Sequence, residues 1–274
     1  MQSPSQPPSQ FIASRNVAQE ICRESCENIH TLSALRILAL AILGGGFISL
    51  GALFSILLST GIETEGIQLV LQGLGFSVGF FLVILTGAVL FTEANVILPM
   101  SALNCSGIDL IRRGGKFWIL SWFGNLFGTL LFGFILYVAQ HYSADHYQLL
   151  SEVVAKKMHY QQVGGVEGWL TLVVSGMLGN WMVGMAAFLA VMGRTIIDKF
   201  IPIALMVSLF VAGNFQHSPA NMAYFSMIMP TGEGPGWVDA ILWNIIPAGI
   251  GNILGGSLLV ALPLWYGLRG QPCN

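Results

Sequence analysis

Apolar stretches about as long as a bilayer is thick alternate with short polar segments over most of the chain. A membrane-spanning helix needs about 20 mostly apolar residues. Six stretches read that way: roughly 35–60, 67–91, 117–140, 168–191, 199–214 and 240–267. Two shorter apolar pieces, about 94–105 and 219–230, follow the second and fifth spans. They are too short to cross alone and read as the second halves of interrupted helices. The first interruption is expected at Leu90-Phe91-Thr92-Glu93-Ala94-Asn95 and the second at Phe215-Gln216-His217-Ser218-Pro219-Ala220-Asn221.

The two halves resemble each other. Ala94-Asn95 and Ala220-Asn221 are 126 positions apart, and Gly124-Asn125 and Gly251-Asn252 are 127 apart. Three spans per half make the halves inverted relative to one another, a transporter and channel architecture. Chance is the other reading, since both dipeptides are common. The expected fold class is an all-α polytopic membrane protein. It has six transmembrane helices in two inverted three-helix repeats, about 35–140 and 168–268, with helices two and five broken. Irregular backbone at membrane depth is tolerated only inside protein or beside a water-filled cavity, so the polar residues of both breaks are expected to meet near the midplane.

Residues 14–30 carry both charge signs and few breakers, which predicts a surface helix leading into the first span. The opening MQSPSQPPSQ is rich in Pro, Ser and Gln, the composition of a disordered segment, and lacks the basic and apolar regions of a signal peptide. The expected organisation is a disordered tail 1–13, a cytoplasmic surface helix 14–34, one transmembrane domain 35–268 and a cytoplasmic tail 269–274.

Composition agrees. The 274 residues are 54% hydrophobic and 9% charged, against about 25% charged in a soluble domain. Of the 11 basic residues, nine (Arg15, Arg23, Arg36, Arg112, Arg113, Lys116, Arg194, Lys199 and Arg269) fall on one side of a six-span topology. Only Lys156 and Lys157 fall on the other. This bias predicts an inner (plasma) membrane protein with both termini cytoplasmic. A net charge of −2 says nothing about nucleic acid. Cys22, Cys26, Cys105 and Cys273 read as ordinary thiols, because Cys22 and Cys26 lack the further ligands a zinc site needs. No metal site and no cofactor are expected. The chain has no HExxH, Walker or dinucleotide motif, so an enzyme is not expected.

His217 is the only histidine expected within a span, and an intramembrane ionisable group is a functional candidate by default. A neutral histidine bonded to a backbone carbonyl is the alternative. Moving a bare anion into a low-dielectric region costs up to about 20 kcal/mol by an idealised Born estimate. A donor at the centre, or a proton passed to the anion, lowers that barrier, and histidine can do either. Thr92, Ser218, Asn95, Asn180, Asn221 and Asn252 add neutral donors, with each Asn also readable as a cap over loosened backbone. Glu93 is costly at this depth unless it is paired or near a mouth. Phe76, Phe80, Phe91, Phe210 and Phe215 flank the breaks, as constriction rings or as ordinary packing. Lys156 and Lys157 either concentrate anions at the outer mouth or form a solvated surface pair. Most of the glycines inside spans read as packing positions.

At these residues the sequence resembles the formate/nitrite transporter family over nearly all of 14–268. The most specific segments are Leu90-Phe91-Thr92 and Phe215-Gln216-His217-Ser218-Pro219-Ala220-Asn221-Met222. Asn180-Trp181-Met182-Val183, Gly251-Asn252-Ile253-Leu254-Gly255-Gly256 and Lys157-Met158-His159 also match. The resemblance implies an aquaporin-like helical fold assembled as a homopentamer, with one pore per protomer. It implies a pathway threonine at Thr92, a central histidine at His217 and a vestibule lysine at Lys157. One constriction is implied at Leu90, Phe91, Thr92 and Val183, and another at Phe76, Phe80 and Phe210. The sequence departs from the family pattern at Gln216, where many members have Glu, at Pro219, and at Glu93-Ala94-Asn95.

The expected function is passage of a small monovalent anion across the lipid bilayer, with nitrite first and formate close behind. His217 supplies a proton or a hydrogen bond, and Thr92, Asn180, Asn221 and Asn252 complete the pathway. The rival is a water or small neutral solute pore, suggested by two broken helices and one Pro-Ala-Asn. The other break lacks the Pro-Ala pair, and no Arg lies near the pore. A scaffold without transport has no need of polar breaks.

Overall fold

Nearly every stretch between breakers is apolar, and backbone in lipid must satisfy its polar groups internally, so the chain is helical almost throughout. The computed structural model describes residues 11–104, 108–139 and 142–268. The first ten residues, Cys105, Cys273 and the tail 269–274 lie outside the described residues, as do the side chains of Cys22 and Cys26. In chain order the helices are α1 (Ser14–Thr31), α2 (Ala34–Ser59), α3 (Glu65–Thr86), α4 (Phe91–Asn104), α5 (Ile108–Ala139), α6 (Ala144–Val163), α7 (Gly165–Met192), α8 (Ile196–Ala212) and α9 (Ser218–Ile228). A last helical run, Trp237–Leu268, completes the described chain.

Among the described residues, five helices are long and apolar enough to cross a bilayer: α2, α3, most of α5, α7 and the last run. α8 is apolar too but has 17 residues, about 25 Å of helix against a hydrocarbon core of about 30 Å.

Both breaks exist, and the first lies earlier than the sequence suggested. α3 ends at Thr86, not near residue 91, because Gly87 takes the left-handed conformation (φ 68°) that closes a helix. The open backbone is 87–90, and Thr92 to Asn95 belong to the opening turns of α4. The second break is open over 213–217, and α9 starts at Ser218 with Pro219 in its first turn. Proline suits that turn, where its missing N–H has no helical partner to lose.

Three further features differ from the sequence reading. α5 starts at Ile108, so Arg112, Arg113 and Lys116 extend the helix and do not form a loop. The segment before α7 contains α6, opened by a capping box between Ser143 and His146. The last run widens into π turns at Ile241–Ile245 and Gly255–Ala261. Each precedes a proline, Pro247 or Pro263, whose ring crowds the preceding turn and removes a donor.

Glycines set the closest helix approaches. A Cβ on Gly124 or Gly128 of α5 would run into Ala41 or the Ile42 carbonyl of α2. A Cβ on Gly251 or Gly255 of the last run would meet Gly176 or the Met177 carbonyl of α7. The two pairs of crossings are related by the same interval of 127 residues on α5 and the last run. α1 is docked: Val17, Ala18 and Ile21 are buried with Val96, Met100 and Phe188, and Ile12 donates its amide to the Met192 carbonyl at 2.9 Å.

Candidate functional site

Each break is held by an asparagine from a helix behind it. Asn125 accepts the Phe91 amide at 2.8 Å and donates to the carbonyls of Val89 (2.9 Å) and Ala41 (2.8 Å). Asn252 accepts the Ser218 amide at 2.8 Å and donates to the carbonyls of Gln216 (3.0 Å) and Gly176 (2.8 Å). Both side chains are fully buried. Asn180 donates to the backbone carbonyls of Thr92 (3.2 Å) and Asn252 (2.7 Å), tying the first turn of α4 to the last helix.

These supports bring Thr92 and His217 together. His217 Nε2 lies 2.8 Å from Thr92 Oγ1. His217 is the N-cap of α9, and its Nδ1 accepts the Ala220 amide at 3.2 Å. With Nδ1 occupied as an acceptor, the neutral ring carries its proton on Nε2 and donates it toward Thr92. Both side chains are buried, and Phe210 lies against the imidazole with ring centroids 5.3 Å apart.

Two cavities approach this pair from opposite ends. One, about 420 Å³, opens beside α1 and is lined by Val83, Leu90, Glu93, Leu98, Ala187 and Lys199 among others. Glu93 is therefore half-buried at a cavity wall, in the first turn of α4, where the helix dipole favours an acid. The other cavity, about 200 Å³, opens beside α6 and is lined by Glu65, Gln72, Lys156, Lys157, Phe210 and Tyr224 among others. Thr92 and His217 line neither cavity.

Phe76, Phe80, Leu90, Val183 and Phe210 belong to one buried apolar cluster, and Phe76 meets Phe210 edge-on at 5.7 Å. Phe91 lies apart from that cluster. Its ring lines an apolar groove between α5 and the last helix, with Trp118 and Trp122. Asn95 is engaged by the Trp118 indole N–H. Asn221 donates to Gln216 Oε1 (2.9 Å) and Asn244 Oδ1 (2.6 Å), and Asn244 donates on to the Lys157 carbonyl (2.8 Å).

Lys157 is buried on α6, outside the spanning helices. No ion pair reaches it among the described residues. Its ammonium sits 5.3 Å from the centroid of Tyr224. Burial pushes its pKa down to about 7.

Asn125, Asn244 and Tyr224 were not singled out from sequence as site residues. Asn125 and Asn244 are polar residues within apolar stretches, a usable signal. Tyr224 sits in an aromatic and apolar run that gives none.

Apolar spanning helices, two interrupted helices and a neutral polar pair between opposed cavities define a membrane channel or transporter. The family model for the formate/nitrite transporter matches residues 15–266, and the chain belongs to that family. It is 33% identical over 255 residues to the formate channel FocA of Escherichia coli (strain K12), covering 86% of this chain and 87% of that one. It is 31% identical over 250 residues to a probable formate transporter of Methanothermobacter thermautotrophicus, covering 84% and 88%. Among solved structures it is similar to a pentameric formate channel with formate bound, with a TM-score of 0.71, 26% identity, and 85% of this chain and 96% of that chain covered. An FNT family ion channel at 22% identity shares the fold with the same TM-score, covering 93% and 96%.

Proposed function

We propose that this chain is a formate channel whose passage runs between the two cavities through the Thr92–His217 pair. The observation that carries the reading is that pair, 2.8 Å apart and buried between two lysine-bearing cavities. The relatives described above are named for formate, which puts formate ahead of nitrite. Nitrite, also compact and monovalent, is the second substrate to test.

An anion at the pair meets Nε2–H of a neutral imidazole and the Thr92 hydroxyl. Hydrogen bonds to a charged group contribute about 1.5–3 kcal/mol each, so two donors offset part of the desolvation cost. Because Nδ1 caps α9, a second ring proton comes only with loss of that cap. The geometry therefore supports donation of a hydrogen bond over transfer of a proton, and passive flux over obligatory proton coupling. Lys157 draws anions into the α6-side cavity. Phe76, Phe80 and Phe210 narrow the path on that side, and Leu90 and Val183 narrow it on the other. Asn252, Asn180 and Asn221 act by holding backbone and one another. Phe91 acts by its amide and its packing.

The α1 side, with Lys199 and the basic face of α5, is the cytoplasmic side of the inner membrane under the positive-inside rule. α8 with α9 completes the sixth crossing, and α3 with α4 is its inverted counterpart. Ile119, Phe123, Phe127 and Phe134 of α5 are exposed in the isolated chain and face lipid or neighbouring protomers of a homopentamer. A pore for water or neutral solutes is the weaker reading, given the family and the lysines at both cavities.

Formate influx and osmotic water permeability, measured on the same proteoliposomes, test the proposal. Saturable formate influx well above water flux is expected. Fast water flux without formate flux overturns it.

A further inference from the structure

We propose that Tyr224 is a positioning residue that holds the Lys157 ammonium at the mouth of the passage and ties it to the aromatic constriction. The proposal rests on the reading of Lys157 as the anion-capturing residue and adds what keeps it in place. The Lys157 ammonium lies 5.3 Å from the Tyr224 ring centroid, within the roughly 6 Å range of a cation–π contact. The ring itself is fixed. Its hydroxyl donates to Ser55 Oγ of α2 at 3.1 Å, and Phe76 of α3 stacks on it at 5.8 Å, with an interplanar angle of 27°.

From there the contacts continue inward. Phe76 meets Phe210 at 5.7 Å, and Phe210 meets His217 at 5.3 Å. Lys157, Tyr224 and Phe210 all line the same cavity. An unbroken row of ring contacts thus runs from the ammonium to the central imidazole. A carboxylate partner would neutralise the lysine and compete with the arriving anion. An aromatic face holds the cation while leaving its charge for the anion, so the ring serves capture where an acid would defeat it.

The test is the concentration dependence of formate influx in proteoliposomes of the full chain. Tyr224→Phe is expected to keep the half-saturating formate concentration within twofold. Mono-, di- and trifluorinated phenylalanines at position 224 drain the ring face without changing its shape. They are expected to raise that concentration stepwise, by about threefold or more across the series, with maximal flux nearly constant. In a Lys157→Gln background, itself raised in half-saturation, the fluorine series is expected to have no further effect.

A flat series in the wild-type background, with Lys157→Gln still raised, overturns the role of Tyr224 and leaves the reading of Lys157 standing. An equally steep series in the Lys157→Gln background overturns it too, because the ring would then act independently of the ammonium. If Lys157→Gln leaves half-saturation unchanged, the reading of Lys157 falls and the inference falls with it.

Discussion

Asn125 and Asn252, 127 residues apart in the chain, make the same three hydrogen bonds to two different breaks. Each accepts the amide that opens the helix after the break and donates to a carbonyl inside the break and to one on a neighbouring helix. Phe91 and Val89 precede Ser218 and Gln216 by the same interval of 127. One device, used twice, gives open backbone at membrane depth its hydrogen-bond partners.

Removing either side chain should therefore orphan two buried backbone groups of a break at once, the opening amide and the carbonyl inside the break. Each orphan costs about 1–3 kcal/mol. Asn125→Ala and Asn252→Ala are expected to lower the thermal midpoint of the detergent-solubilised protein by about 5–10 °C, read by size-exclusion after heating. An unchanged midpoint in both variants contradicts the capping role.

The glycine contacts predict a sharp contrast between two substitutions to alanine. A Cβ at Gly179 would press into the Gln216 carbonyl, whereas one at Gly66 meets nothing within 4 Å. Gly179→Ala is expected to destabilise by about 1–3 kcal/mol. Gly66→Ala, in the first turn of α3, is expected to be neutral or slightly stabilising. The same thermal assay compares them.

Thr92 faces His217 through its hydroxyl alone. Thr92→Ser keeps that group, and Thr92→Val keeps the shape without it. Formate influx is expected to remain within a few-fold in Thr92→Ser and to fall about tenfold or more in Thr92→Val, the loss of one hydrogen bond to a charged group. Equal flux in the two variants would remove the hydroxyl from the pathway.

Lys157 makes the pH dependence testable. With its pKa pushed down to about 7 by burial, the side chain is charged below that pH and neutral above it, and its attraction for anions fades as pH rises through 7. The difference in half-saturating formate between the wild-type chain and Lys157→Gln is expected to be large at pH 6 and to close by about pH 8. Glu65 and Lys156 line the same cavity, and Glu65→Gln is the control for their shared field. A difference constant from pH 6 to 8 contradicts titration of Lys157 over this range.

Much of this was legible in the sequence because membrane helices announce themselves by length and apolarity, and polar residues at depth are rare enough to stand out. His217 and Thr92 were found that way, and they meet. The position of the first break was misjudged. The polar residues Thr92 to Asn95 looked like the interruption, whereas the backbone opens at Gly87, where a left-handed residue ends α3, and resumes as helix at Phe91 because Asn125 receives its amide. That bond spans 34 residues and leaves no local trace. α6 was missed because its mixed polarity lacks a spanning pattern, and its capping box pairs Ser143 with a histidine where the sequence signature has Glu or Gln. The last helix gave no hint of its π turns beyond Pro247 and Pro263. Tyr224 was invisible because a tyrosine among apolar neighbours says nothing of the lysine 67 positions earlier in the chain.

The most direct test of the central claim is formate uptake into proteoliposomes carrying His217→Ala, compared with the wild-type chain at matched reconstitution from pH 5 to 8. The expected result is a fall of about tenfold or more across the whole range, since the donor at the centre of the passage is gone. Wild-type uptake in that variant at every pH would mean that formate does not pass the Thr92–His217 pair.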